Sequence, residues 1–144
     1  MSDIKRFEDL DAWKLGRTLT NRVYAITKDA PAARDYGFTD QLRRAAVSVM
    51  RNVAEGFDRG SNKDFAKFLF IARGSVAEVR SLLYVALDQS YITNEEFDEC
   101  RDLCIRCGQL IWGLIKSLRK RSDWITSMKI LVQTALLSLG LIKL

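Results

Sequence analysis

Three cysteines near the end of the chain have a spacing that is suited to metal binding. Cys100, Cys104 and Cys107 form the pattern CxxxCxxC, and an iron–sulfur cluster needs thiolates that converge on one site. The same positions also follow a helical repeat that places them on one apolar face, where a free cysteine packs as a small hydrophobic side chain. We therefore predict that these cysteines belong to the core, and we expect no metal and no cofactor.

Histidine is absent from the sequence. It is the side chain best suited to proton transfer near neutral pH and the commonest metal ligand. Without it, Ser–His and Cys–His nucleophile pairs and HExxH zinc sites are excluded. We therefore predict no catalytic residues and do not expect an enzyme.

Positively charged side chains are the best candidates for a binding site. The formal net charge is +5 and the isoelectric point is about 9.3, and such a basic excess attracts phosphate groups. The candidate nucleic-acid-binding residues fall into two groups along the chain, namely Arg43, Arg44, Arg51, Arg59 and Lys63, then Lys116, Arg119, Lys120 and Arg121. Because we expect few exposed aromatic residues beside them, we predict contacts with the phosphate backbone rather than with bases.

The elements that must position these side chains are amphipathic helices. The first is predicted over about Asp11 to Lys28, where apolar residues recur at three- and four-residue steps. The second begins after Thr39 as its N-cap and ends at Gly56, the residues FDRG reverse the chain, and Ser61 caps the third helix. A phosphate-binding loop is the alternative for this glycine-containing turn, but it needs a preceding strand and a GxxxxGK pattern. The stretch therefore predicts a helical hairpin.

The fourth helix has a well-marked start. Thr93 and Glu96 form a capping box, and apolar residues then alternate at three- and four-residue steps as far as Leu118. The basic residues at its end complement the helix dipole, which gives them a structural alternative to nucleic-acid binding.

Four such helices with short connections predict an all-α fold, an antiparallel up-down four-helix bundle over residues 1–121. Residues 122–144 form an apolar C-terminal tail or an extra helix that packs on the bundle or on a partner subunit. Its apolar run from Ile130 to Ile142 is about thirteen residues, shorter than the roughly twenty that cross a bilayer, so membrane contact through the tail is only the weaker alternative. The first residues lack the apolar region of a secretory signal, and three cysteines indicate reduced thiols, so we expect a cytoplasmic protein.

Several blocks of the sequence carry a family resemblance. The segments FEDLDAWKLGRTL and YGFTDQLRRAAVSVMRNVAEGFDRGSNKDFAKFLFIARGSVAEVRSLL, with SYI before the last helix, resemble the four-helix-bundle proteins of the ribosomal intervening-sequence (S23-like) family over about residues 7–120. The same fold occurs in the accessory variability proteins of diversity-generating retroelements. The resemblance implies a ring-like homopentamer without catalytic residues, and retroelement relatives bind nucleic acid and a reverse transcriptase. The tail after Lys120 departs from the usual end of the family.

Charge and resemblance together predict a non-enzymatic, oligomeric RNA- or nucleic-acid-binding protein. It would be of the ribosomal intervening-sequence type or a reverse-transcriptase accessory factor of a diversity-generating retroelement. The alternative is a structural protein–protein adaptor that does not bind nucleic acid and whose arginines only keep the surface soluble.

Overall fold

The computed structural model describes residues 4–29 and 31–138 of the 144-residue chain. Within those ranges the regular structure is helical throughout, and no strand is present. The α-helices are α1 (Asp11–Ile26), α2 (Tyr36–Asp58), α3 (Asn62–Asp88) and α4 (Asn94–Ser138), and two 3-10 turns cover Phe7–Asp9 and Ala32–Arg34.

The helices form the predicted four-helix bundle. Helix α2 packs on α1 and α3, and α4 packs on α3 and α1, so that each helix contacts its two neighbours around a common interior. The apolar stripes that recur at helical spacing supply this interior. Side chains from all four helices are fully buried there, among them Leu19, Val23, Leu42, Val49, Leu69, Leu83 and Ile111.

Helix α2 begins before the predicted N-cap. Asp35 is the N-cap, and its Oδ1 accepts a hydrogen bond from the backbone N–H of Phe38 at 3.1 Å. Thr39 instead lies buried inside the helix, and its hydroxyl donates to the carbonyl of Ala32 at 2.8 Å. The prediction of Thr39 was wrong because the 3-10 turn packs over this hydroxyl, and the capping oxygen comes from Asp35 one turn earlier.

The turn between α2 and α3 uses a different glycine from the predicted one. Helix α2 continues past Gly56, and Gly60 has a φ of +76°, a left-handed conformation that ends helices and favours glycine. Gly56 is required for another reason, because a Cβ added to it would lie 2.5 Å from the Cβ of Phe68 on α3. The predicted cap of α3 is confirmed, since the Oγ of Ser61 accepts the backbone N–H three residues later at 3.1 Å.

Helix α4 begins as predicted. The N–H of Thr93 donates to Glu96 Oε2 at 3.0 Å, and the N–H of Glu96 donates to Thr93 Oγ1 at 3.1 Å. The helix then continues without a break through residue 121 to Ser138. The predicted dipole role of the basic residues 116–121 is therefore wrong, because they lie inside the helix and not in its last turn. The side chains of residues 122–135 are all exposed, so this segment projects from the bundle. We name residues 122–138 the α4 extension; at 1.5 Å per residue it is about 25 Å long.

The α4 extension does not fold back onto its own bundle within the described residues. The packing of this segment on a partner subunit remains a prediction. The division of the chain at residue 121 also remains a prediction. Residues 139–144, the end of the predicted apolar run, lie outside the described residues. In the described part of the chain, no helix combines the length and the apolar character that crossing a membrane requires.

Candidate nucleic-acid interface

The three cysteines lie in the core, as predicted. Cys100, Cys104 and Cys107 are at most 1% exposed, and the Sγ of Cys107 contacts the carbonyl oxygen of Ala12 at 3.9 Å. Burial raises the pKa of Cys100 to about 11 and those of Cys104 and Cys107 to about 12, because a thiolate loses its hydration in an apolar interior. Thiols of this kind are protonated at neutral pH, whereas metal binding needs the thiolate.

A groove along α2 collects part of the predicted binding residues. It has a volume of about 680 Å³ and lies between the end of α1, the loop that follows, and α2. Arg43 and Arg51, both on α2, are eight residues apart, which corresponds to about 12 Å along the helix. We name this groove the α2 groove and define it by six of the residues that line it, namely Tyr24, Lys28, Tyr36, Arg43, Arg44 and Arg51.

Arg43 lines the α2 groove, and hydrogen bonds hold its side chain in place. Its Nε donates to the Oγ1 of Thr27 and its Nη2 donates to the carbonyl of the same residue, each at 2.9 Å. The guanidinium carbon lies 4.7 Å from the ring centroid of Tyr24. These contacts supply donors to the end of α1, where helical carbonyls lack partners. Arg43 therefore adds positive charge to the groove while its N–H groups serve the fold.

The other cations of the α2 groove are exposed. The side chain of Arg44 is 80% exposed, and its Nη1 lies 3.6 Å from Asp40 Oδ2. An exposed pair of this kind contributes little to stability, so a phosphate can replace the carboxylate at small cost. Arg51 and Lys28 are exposed as well. Three exposed positive charges therefore border one groove.

Two tyrosines in the α2 groove are absent from the predicted site. Tyr36, the first residue of α2, is 81% exposed, and Tyr24 on α1 is 46% exposed. The expectation that few exposed aromatic residues accompany the arginines is therefore wrong. The available signal was that both tyrosines lie outside the apolar stripes of their helices. An exposed ring beside cations offers a nucleic-acid base a stacking surface.

The remaining predicted residues lie at the opposite end of α2. Arg121 borders a cavity of about 240 Å³ together with Gly60 and other residues of the α2–α3 turn. We name this region the turn-end patch and define it by Arg59, Lys63, Lys116, Arg119, Lys120 and Arg121, all exposed. The nine predicted residues are therefore divided between the α2 groove and this end of the bundle rather than gathered in one site.

Two arginines of the turn-end patch also serve the fold. Arg59 pairs with Glu55 at 2.8 Å, and its guanidinium carbon lies 5.0 Å from the ring centroid of Phe68. Arg119 lies over the ring of Phe70 at 5.1 Å. Cation–π contacts at exposed sites contribute about 0.5–1 kcal/mol, so these side chains are partly ordered on the protein surface.

Comparisons with known proteins agree with the bundle. The fold is similar to the crystal structure of a protein with unknown function from the S23 ribosomal protein family from Bacteroides thetaiotaomicron VPI-5482. The two chains are 21% identical with a TM-score of 0.68, and the similarity covers 73% of this chain and 98% of that one. No curated protein matches the chain.

A family model matches most of the chain. It is described as the 23S rRNA-intervening sequence protein and matches residues 8–113. The matched segment runs from the first 3-10 turn to residue 113, in the first half of α4, and includes the α2 groove, whereas the α4 extension lies beyond it. By this match, the chain belongs to the 23S rRNA-intervening sequence protein family.

Proposed function

We propose that this protein is a non-enzymatic RNA-binding protein of the intervening-sequence type, which holds single-stranded RNA in the α2 groove. The observation that carries the proposal is the presence, in one groove, of exposed cations and exposed tyrosine rings. The family description refers to an intervening sequence of 23S rRNA, which makes RNA the first nucleic acid to test. Such a partner is cytoplasmic, and we expect the protein to act there.

The cations of the α2 groove would contact phosphates. Lys28, Arg44 and Arg51 are exposed and border the groove, and each phosphate that they neutralise releases condensed counterions. Arg43 adds to the positive field while it remains bonded to Thr27. This part of the binding is independent of RNA sequence, because phosphates are the same in every nucleotide.

The tyrosines would bind bases. The ring of Tyr36 is largely exposed, and stacking of a base on such a ring contributes about 1–3 kcal/mol with little sequence preference. Bases in a duplex are already stacked on their neighbours, so a groove of this kind favours single strands, loops and bulges. The turn-end patch would extend the electrostatic surface to neighbouring phosphates.

The alternative function, a protein–protein adaptor without nucleic-acid binding, also has support. Arg43 and Arg59 already bond within the chain, so part of the positive charge serves the fold. The reverse-transcriptase partner and the homopentamer implied by the resemblance remain predictions. Binding measurements on matched variants separate the RNA-binding function from the adaptor.

The test is fluorescence anisotropy with a labelled single-stranded RNA of about twelve nucleotides, roughly the site of one small binding domain. The groove variant carries Lys28→Gln, Arg44→Gln and Arg51→Gln. The control carries Lys14→Gln, Lys67→Gln and Arg80→Gln, which removes the same charge from exposed residues that do not line the groove.

We expect the groove variant to bind about tenfold more weakly than the control in the same low-salt buffer. Equal affinities for the two variants, at unchanged melting temperatures, would show that only net charge matters and would contradict a groove site. An absence of binding by the wild-type protein would favour the adaptor.

A further inference from the structure

The α4 extension carries apolar side chains that the described part of its own chain leaves uncovered. Trp124 and Leu131 are 67% and 64% exposed, and Val132 is 53% exposed. Ile125 and Met128 on the same segment are more than 40% exposed. An apolar surface of this extent on a projecting helix is typical of a binding face.

The apolar residues of the extension continue the register of the core stripe of α4. The bundle part of α4 places apolar residues at alternating three- and four-residue steps, namely at Phe97, Cys100, Cys104, Cys107, Ile111, Leu114 and Leu118. The next positions in the same alternation are Arg121, Ile125, Met128, Val132 and Ala135. Only Arg121 interrupts the series. A repeat of 3.5 residues keeps one face of a helix against another helix over many turns.

The partner of this face is therefore expected to be a helix. Within the bundle, α1 and α3 cover the stripe of α4, and beyond Leu118 the described chain offers no further helix. We propose that the exposed stripe of the α4 extension packs against the same stripe of further copies of this chain, so that copies associate through these helices.

The charges on the extension favour this partner over a membrane surface. A helix that lies on anionic lipid carries lysine and arginine along its polar face. Here the opposite face carries hydroxyl and amide side chains, namely Thr126, Ser127, Gln133 and Thr134, together with Ile130, which is 60% exposed. Asp123 and Lys129 are the charged residues between 122 and 138, so the net charge of this stretch is zero.

The exposed area is sufficient for association. The five large side chains that are exposed on this face together present about 500 Å², so two copies would bury about 1,000 Å², near the lower limit for a specific interface. Trp124 and Leu131 lie beside the positions of the repeat and make the stripe wider than the seam of a two-stranded coiled coil. The assembly therefore contains two or more copies. The extension lies outside residues 8–113, so this interface is separate from the part that the family model matches.

The test compares two full-length variants of the extension. The face variant carries Ile125→Asp, Met128→Asp and Val132→Asp, and the control carries Thr126→Asp, Ser127→Asp and Gln133→Asp. Both add three negative charges to the same exposed helix, and neither alters a core residue of the bundle. Sedimentation velocity over a range of protein concentrations gives the mass of each.

We expect the wild type and the control to associate, and the face variant to sediment at about half their mass or less. The inference is overturned if the wild type is monomeric at the highest concentration, or if both variants dissociate equally. It is also overturned if the face variant keeps the wild-type mass, because assembly through the bundle alone would give that result. Flotation of the monomeric wild type with phosphatidylglycerol vesicles would assign the face to lipid instead.

Discussion

The guanidinium group of Arg43 on α2 holds the end of α1 through two hydrogen bonds to Thr27, each 2.9 Å long. The same side chain borders the groove in which we propose that RNA binds. Fold and site therefore share this residue, and any test of the site must separate its two roles.

Replacement of Arg43 by methionine is expected to lower the free energy of unfolding by about 1–3 kcal/mol, because the Thr27 carbonyl loses its donor. Urea denaturation measures this change. Arg44→Met is the control, since Arg44 is exposed and, among the described residues, pairs only with Asp40 on its own helix; we expect a change below about 0.5 kcal/mol. Equal effects of the two substitutions would contradict a structural role for the Arg43 hydrogen bonds.

Gly56→Ala is expected to destabilise the protein by about 1–3 kcal/mol, because the added methyl group would overlap the Cβ of Phe68 and push α2 away from α3. Gly74→Ala is the matched control, because Gly74 lies in the middle of α3 with open space around it. There, alanine should stabilise the helix by up to about 1 kcal/mol. Thermal unfolding followed by circular dichroism gives both values, and a stabilising Gly56→Ala would refute the close approach.

The positions of the helices could be predicted from the sequence because apolar spacing and capping residues are local properties. The starts of α3 and α4 were predicted correctly since Ser61 and Thr93 each precede, by three residues, an acidic residue that completes the cap. The start of α2 was predicted at Thr39, whereas the N-cap is Asp35, four residues earlier, and both residue types cap helices. The hydroxyl of Thr39 bonds instead to Ala32 in the 3-10 turn before α2, and the apolar spacing of α2 does not report that turn.

The site was less predictable than the fold. The predicted arginines are exposed or line the α2 groove. Their division between this groove and the end of the bundle near the α2–α3 turn depends on how α2 and α4 pack, which the sequence pattern does not give. The position of Tyr36 outside the apolar stripe of α2 indicates an exposed ring, but it does not report that the end of α1 and the following loop form a groove beside that ring. The close approach at Gly56 likewise depends on Phe68, twelve residues further along the chain.

The free energy of unfolding should fall as the pH rises from about 9 to about 12. The cysteines of the unfolded chain lose protons near the ordinary pKa of 9.0, whereas burial holds the pKa of Cys104 in the folded chain at about 12. In this window the unfolded state binds fewer protons, so it is favoured as the pH rises.

Variants with all three cysteines replaced by alanine test this dependence. The triple variant should be less stable than the wild type at pH 8 by about 2–4 kcal/mol, because core volume is lost. The difference between the two proteins should shrink from pH 9 to pH 11, since lysine and tyrosine titration is common to both. A difference that is constant with pH would show that the thiols are not buried as described.

Tyr36→Ala is expected to weaken the binding of single-stranded RNA about fivefold or more, through the loss of base stacking. Tyr36→Phe keeps the ring and should bind as the wild type does. Because Tyr36 is 81% exposed, neither change should alter the melting temperature. If alanine and phenylalanine variants bind equally well, the ring does not stack on a base. Anisotropy titrations in one buffer compare the three proteins.

The most direct test of the proposed function is the salt dependence of RNA binding by the wild-type protein and the groove variant. We predict that the wild type binds single-stranded RNA at about 50 mM salt more tightly than it binds a duplex of the same sequence. The logarithm of its affinity for single-stranded RNA should fall linearly with the logarithm of the salt concentration. The variant with Lys28, Arg44 and Arg51 replaced by glutamine should show a smaller slope, because fewer phosphates are neutralised. No binding by the wild type at this salt concentration, or the same slope for both proteins, would contradict an RNA site in the α2 groove.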